Sequence, residues 1–92
     1  MTNLVTPTVH LNGTTGQHLL DQQLKVIHAL RDVLTVMSQA CPNARDFYPQ
    51  GEGVALEARE VYNERRKIIS KMIAEYETIA INVHEQINRR AA

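Results

Sequence analysis

The chain has 92 residues, ten Lys and Arg against ten Asp and Glu, and an apolar fraction of 43%. That length allows one domain at most, and that apolar fraction argues against global disorder. A protein that holds a nucleic-acid duplex mainly through its phosphates carries a basic excess, so the zero net charge disfavours this class. A small anionic ligand is not excluded, because a few local donors are enough to bind it.

The chain contains one cysteine, Cys41, so it has neither an internal disulfide nor a cysteine-rich zinc site. Residues 1–9 lack a basic segment followed by an apolar run, and no apolar stretch reaches the roughly 18 residues of a membrane span. These features predict a location in the cytosol, with no membrane partner. We expect Cys41 to be buried or half-buried at a helix end, because nothing around it suggests a nucleophile.

The N-terminal segment, residues 1–13, is predicted to be an extended arm that ends in a turn. Asn12-Gly13 is a turn signal because both residues tolerate positive φ. Thr14 is then placed to cap a helix. Gln17, three residues later, completes the pattern of a capping box.

Residues 14–92 are predicted to form a helical hairpin, with one helix over about 15–40 and another over about 54–89. The loop between them, residues 42–53, begins with Pro42, which cannot easily continue the first helix. Apolar residues recur at helical spacing in both helices and occupy several adjacent rows. These apolar faces are wider than the roughly 100° stripe of an ordinary surface helix.

A single neighbouring helix covers only one stripe, and an isolated two-helix hairpin buries little compared with the entropy that its ordering costs. The longer second helix also extends beyond the first, so Ile79, Val83 and Ile87 need cover from the arm or from another subunit. The sequence therefore predicts an all-α fold. We expect a long antiparallel helical hairpin with an extended N-terminal arm, assembling into a homo-oligomeric helical bundle, a dimer or larger.

The first candidate ligand-binding residues lie in the turn before the first helix: His10, Asn12, Gly13, Thr14 and Thr15. Glycine lets a ligand approach the backbone closely, and hydroxyls with free N–H groups at a helix start favour phosphate or carboxylate. The alternative is a purely structural helix cap. The segment is not a P-loop, because the Gly-Lys-Ser/Thr ending is absent.

Further candidates are Arg45 and Tyr48 in the loop and Arg65 in the second helix. An arginine can bind a phosphate through two hydrogen bonds, and an aromatic ring can stack on a base. Arg65 lies at the edge of the apolar face, where it could clamp an anion at a seam between subunits. Structural alternatives are that Arg45 pairs with Asp46 or caps the first helix, that the loop aromatics plug the hairpin, and that Arg65 lies on a solvated face.

Catalytic and metal sites have little support in the sequence. No two histidines stand four residues apart, and no HExxH or Cys/His pattern occurs. Ser38 and Ser70 are the only serines, and both fall within predicted helices rather than on a nucleophile turn. We therefore expect no metal, no cofactor and no enzymatic activity.

Two segments carry a resemblance to known proteins: His-Leu-Asn-Gly-Thr at residues 10–14 and Pro-Asn-Ala-Arg-Asp-Phe-Tyr-Pro-Gln-Gly at residues 42–51. With the long Arg/Glu-rich helix that follows, they resemble a family of short phage and prophage proteins, over residues 9 to about 85. That family brings no assigned chemistry. The resemblance implies a phage-encoded protein of the host cytoplasm.

In architecture alone, the chain is similar to small helical phage proteins that sequester cyclic nucleotide signals and so blunt bacterial immune systems such as CBASS and Thoeris. Those proteins hold their ligands between subunits, with aromatics, Arg or Lys, and backbone amides. The similarity implies an anti-defence protein that sequesters a small cyclic nucleotide at inter-subunit pockets, without catalysis. The alternative is a helical protein–protein interaction module that inhibits a host or phage protein.

Overall fold

The computed structural model describes residues 4–91 as an antiparallel pair of long helices. The first, α1, spans Gly16–Gln39, and the second, α2, spans Val54–Ala91. Two three-residue 3-10 helices, Ala44–Asp46 and Tyr48–Gln50, lie between them. The described chain has no strand and forms a rod 63 Å long and 26 × 19 Å across. The all-helical hairpin is thus confirmed, although residues 1–3 of the predicted arm lie outside the described residues.

Few side chains are fully enclosed between the two helices. The buried apolar residues are Ile27, Tyr62, Ile73, Ala80 and Val83. Ile27 of α1 packs with Ile73 and Ala80 of α2, inside a ring of half-buried neighbours: Leu20, Leu30, Leu34, Ile69 and Tyr76. The core is therefore a single line of side chains along the contact between two helices, as the small size of the hairpin requires.

The N-terminal arm lies against the part of α2 that extends beyond α1. The Gln86 side chain accepts a hydrogen bond from the Val9 amide (2.8 Å) and donates one to the Pro7 carbonyl (2.9 Å). Arg90 donates through Nη1 to the Val9 carbonyl (2.9 Å). Val83 is completely buried. The arm thus covers the last turns of α2, one of the two possibilities that the sequence leaves open.

The start of α1 differs by one residue from the prediction. The helix cap is Thr15, whose Oγ1 accepts a hydrogen bond from the His18 amide (3.2 Å). The assignment of Thr14 as the cap is therefore wrong, and so is the capping box, since Gln17 donates to Asp21 instead (2.9 Å). The first residue of the helix, Gly16, packs against Ile87 so closely that a Cβ atom would not fit there. This contact explains why the position is a glycine.

The connector reverses the chain through side-chain caps and two glycines. Asn43 Oδ1 accepts from the Arg45 amide (3.1 Å), and the Tyr62 hydroxyl donates to the Met37 carbonyl (2.8 Å), which ties the end of α1 to α2. Gly51 and Gly53 have φ of 112° and 85°, the left-handed region that favours glycine. This backbone conformation directs the chain into α2.

Candidate functional site

The predicted binding residues of the turn lie exposed at the end of the rod where α1 begins. The Gly13 amide donates to the His10 carbonyl (3.2 Å) and closes the turn. The turn forms as expected, but neither Asn12 nor Gly13 adopts a positive φ. Thr15 is engaged as the helix cap. His10, Asn12 and Thr14 keep exposed side chains that a ligand could reach.

The predicted residues of the loop lie at the opposite end of the rod. Tyr48 is 75% exposed, whereas the neighbouring Phe47 is half-buried, so only one of the two aromatics packs against the hairpin. Arg45 is exposed. The ion pairs of the described residues are Arg31–Glu77 and Lys67–Glu64, so Arg45 is not paired with Asp46 there.

The eight predicted ligand-binding residues do not come together within one chain. The 24 residues of α1 separate the turn from the loop, which is roughly 36 Å at the rise of an α-helix. Arg65 is exposed in the middle of α2, away from both ends. A site that uses both the turn and the loop therefore needs two chains, and the nucleotide pocket stays a prediction.

An open hollow of about 450 Å³ on α2 is bordered by Asn63, Arg66, Lys67 and Ser70, none of them a predicted binding residue. The Arg66 guanidinium stands 5.8 Å from the centre of the Tyr62 ring and donates to its hydroxyl (3.3 Å). The Arg66 guanidinium is therefore already engaged by Tyr62 of the same chain. Because the hollow lies along a single helix, it does not enclose a small molecule.

The described residues, 4–91, hold neither a cluster of metal ligands nor a helix fit to cross a membrane. Nowhere in that range do three or more His, Cys, Asp or Glu side chains lie close enough together to hold a metal ion. Neither α1 nor α2 combines the length and apolarity that a membrane crossing requires. Cys41 is exposed, so the expectation of a buried thiol is wrong. The reason is that α1 ends before it, at Gln39, and the chain turns away at Pro42.

Two largely exposed apolar stripes run along the helices, with members three, four or seven residues apart, and they hold none of the predicted ligand-binding residues. We call them together the apolar face. Val36 on α1 is 62% exposed and Ile68 on α2 is 58% exposed. Its members are Val26, Ala29, Val33 and Val36 of α1, Ala40 directly after it, and Val61, Ile68, Met72 and Ile79 of α2. Val26 and Ile79 are half-buried, and the others are exposed.

Both stripes lie on the same side of the hairpin. At about 100° per residue, the stripe lies roughly 90° from the buried line on α2 and roughly 120° from it on α1, in the direction opposite to Leu24 on α1 and Ile81 on α2. Leu24 and Ile81 border one hollow on the other side, where Arg31 also meets Glu77. The two stripes must therefore share the remaining side and form one continuous surface.

The apolar face is large for a chain of this size. Its two stripes cover roughly 25 Å along the rod and roughly 20 Å across two helices, which is about 500 Å². The largest apolar patch on a typical single chain is about this size, roughly 300–600 Å², and is often functional. With the polar side chains along its edges, the surface approaches the roughly 800 Å² that each partner buries in a specific protein interface.

Comparison of the chain with protein-family models, with curated proteins and with solved structures finds no match. The resemblance to short phage proteins therefore stays a prediction.

Proposed function

We propose that this protein acts by binding rather than by catalysis, as a helical protein–protein interaction module whose working surface is the apolar face. The observation that carries the proposal is a pair of aligned, largely exposed stripes of Val, Ile, Met and Ala on one side of both helices, interrupted on α2 by Arg65 and Glu75. An exposed leucine or valine standing alone needs no explanation, but two aligned stripes do.

The energetics favour a covered face. A footprint of about 500 Å² is worth at most on the order of 10 kcal/mol by area, because Arg65 and Glu75 occupy part of it. Association costs a similar amount in lost translational, rotational and side-chain freedom. Shape and charge complementarity therefore decide how tightly a partner binds, and a surface with helical ridges selects a helical partner.

Sequestration of a cyclic nucleotide is the other function that the sequence suggests. The predicted ligand residues of the turn and of the loop lie at opposite ends of one chain, and Arg65 lies between them. Sequestration therefore requires that two copies first come together. It is therefore a second role that depends on association, and docking through the apolar face is the more direct proposal.

The proposal is tested by side-chain footprinting with a solution-generated carbene. The chain is labelled at high dilution in buffer, at high concentration in buffer, and in an extract of the cells that produce it. We expect Val33, Val36, Ile68 and Met72 to lose reactivity in at least one of the last two samples. Equal reactivity of these side chains in all three samples would overturn the proposal.

Two matched double variants provide the control. Val36→Gln with Ile68→Gln alters the apolar face, and Leu56→Gln with Ile81→Gln alters residues of similar exposure (62% and 60%) elsewhere on α2. Glutamine keeps a high helix propensity, so both variants should remain helical by circular dichroism. Only the first is expected to abolish the protection of Val33 and Met72.

A further inference from the structure

We propose that the occupant of the apolar face is a second copy of this chain, packed so that α2 lies antiparallel to α2 of the partner. This inference rests on the proposed function and names the partner of the same surface. It comes from a row along α2 whose spacing, and whose order of apolar and charged positions, are the same from either end. The row is Val61, Arg65, Ile68, Met72, Glu75 and Ile79.

The row has the 4-3-4-3-4 spacing of a coiled-coil seam. In an antiparallel pair, residues whose numbers are symmetric about the centre of the seam face each other. With that centre at the level of residue 70, Ile68 faces Met72 of the second copy, and Val61 faces Ile79. The same register places Arg65 opposite Glu75 of the second copy, twice by symmetry. Every apolar residue thus meets an apolar residue, and each charge meets its opposite.

The two charges of the row have no ion-pair partner among residues 4–91. The pairs found there are Arg31–Glu77 and Lys67–Glu64. Glu75 is already half-buried in the single chain. Covering the face without opposing charges would therefore bury a carboxylate and a guanidinium that have no ion-pair partner. A second copy in this register supplies both partners from the same sequence.

The other twofold arrangement of two hairpins is disfavoured by the same charges. A symmetry axis parallel to the helices would place α2 against α1 of the second copy. Arg65 and Glu75 would then face the α1 stripe, in which Val26, Ala29, Val33 and Val36 offer no opposite charge. Covering unpaired charges with apolar groups costs more than the contact returns.

The stripe on α1 is compatible with the same symmetry axis. It is symmetric about residue 31, so that Ala29 faces Val33 of the second copy and Val26 faces Val36. Gly16 lies beside Ile87, and the Tyr62 hydroxyl bonds to Met37, so residue 31 lies at the level of about residue 70 of α2. One axis therefore serves both stripes, as a four-helix bundle requires.

The arm limits the seam at one end. The next positions of the row are Asn82 and Gln86, and the arm is bonded to Gln86 there. The like charges that the register brings near each other, Lys71 with Lys71 and Glu57 with Glu85, are exposed at the outer edge. Repulsion between exposed charges is weakened by water and salt.

The inference is tested by sedimentation equilibrium with charge exchange. Wild-type protein is expected to be a dimer at micromolar concentration. Arg65→Glu and Glu75→Arg should each weaken the dimer at least about tenfold, because like charges then face each other twice. The double exchange should restore the dimer Kd to within about threefold of wild type. Circular dichroism on each variant separates loss of association from loss of folding.

Orientation is read from a spin label on Cys41, the only cysteine, which is exposed. The antiparallel pair separates the two labels by roughly 30 Å, whereas the other arrangement brings them to roughly 15 Å. A short distance, or a dimer indifferent to the charge exchanges, would overturn the inference. A monomer whose apolar face is protected only in cell extract would also overturn it, while leaving the proposed docking function intact.

Discussion

Gly16 and Gly13 lie close together in the sequence, yet a side chain at each would meet different surroundings. A Cβ atom on Gly16 would lie 2.6 Å from Ile87 Cγ1 and 3.3 Å from Val9 Cγ1. A Cβ on Gly13 would lie 2.7 Å from Nε2 of His10. Ile87 is branched at Cβ and half-buried, so it cannot move aside, whereas the exposed His10 ring can.

We therefore expect Gly16→Ala to lower the free energy of unfolding by roughly 1–3 kcal/mol, the usual cost of an overpacked core. This would occur although alanine is the better helix former. Gly13→Ala is the control and should change stability by less than about 0.5 kcal/mol. Urea unfolding at a fixed chain concentration measures both. Equal stability of Gly16→Ala and wild type would show that the arm and α2 are not packed there as described.

The two adjacent aromatic residues of the loop differ in burial. Phe47 and Tyr48 are adjacent and equally capable of packing, but only Phe47 is half-buried. The sequence shows that the loop carries two aromatic side chains able to pack against the hairpin, but not which of them does. Which of the two packs depends on the direction that the 3-10 turns give to each side chain, and this is set by caps such as Asn43 rather than by the aromatics themselves.

At the scale of elements, the arm is held by a side chain that takes the place of a neighbouring strand. Gln86 offers both an acceptor and a donor to the backbone of residues 7–9, and Asn82 Oδ1 accepts a further hydrogen bond from Gln86 Nε2 (2.7 Å). The bond to Asn82 orients the Gln86 amide. An extended segment without internal hydrogen bonds thereby obtains partners for its backbone.

Gln86→Ala is expected to release the arm. Loss of hydrogen bonds to Val9 and Pro7 should lower the free energy of unfolding by about 1–2 kcal/mol. It should also accelerate hydrogen exchange at the Val9 amide. Glu85→Ala, a change at the exposed neighbouring position, serves as the comparison. A Val9 amide that exchanges at the wild-type rate in Gln86→Ala would mean that other contacts hold the arm.

At the scale of the whole molecule, the antiparallel dimer would change the status of the predicted nucleotide site. It would place the turn of each chain, with His10 and Asn12, at the same end of the assembly as the partner's loop, with Arg45 and Tyr48. Residues roughly 36 Å apart in one chain would then be neighbours between chains. A nucleotide site built from the turn and the loop therefore requires the antiparallel dimer.

The nucleotide hypothesis predicts a thermal shift that requires the dimer. Cyclic di- and trinucleotides and cyclic ADP-ribose isomers are tested on wild type and on the Val36→Gln, Ile68→Gln double variant, which leaves the predicted ligand residues unchanged. A binding nucleotide should raise Tm of the wild type only, because ligand binding stabilises the state that contains the site. Arg45→Ala and Tyr48→Ala should reduce the shift. No shift with any nucleotide would end this hypothesis and leave docking untouched.

The sequence was enough to predict the two helices, the break at Pro42 and the turn at Asn12-Gly13. It also showed that the apolar rows were too broad for one neighbouring helix. These features follow from side-chain periodicity and from the backbone preferences of proline and glycine, which act within a few residues. For the same reason, the helix bounds Gly16–Gln39 and Val54–Ala91 lie close to the predicted ones.

The sequence could not predict which threonine caps α1, what covers the end of α2, or where the ligand candidates lie relative to one another. Each depends on contacts between residues far apart in the chain: Gly16 against Ile87, and Gln86 against Pro7 and Val9. The alignment of the two apolar stripes on one side also required the rotation of each helix about its axis. That rotation is set by packing between helices, for which periodicity along one helix carries no information.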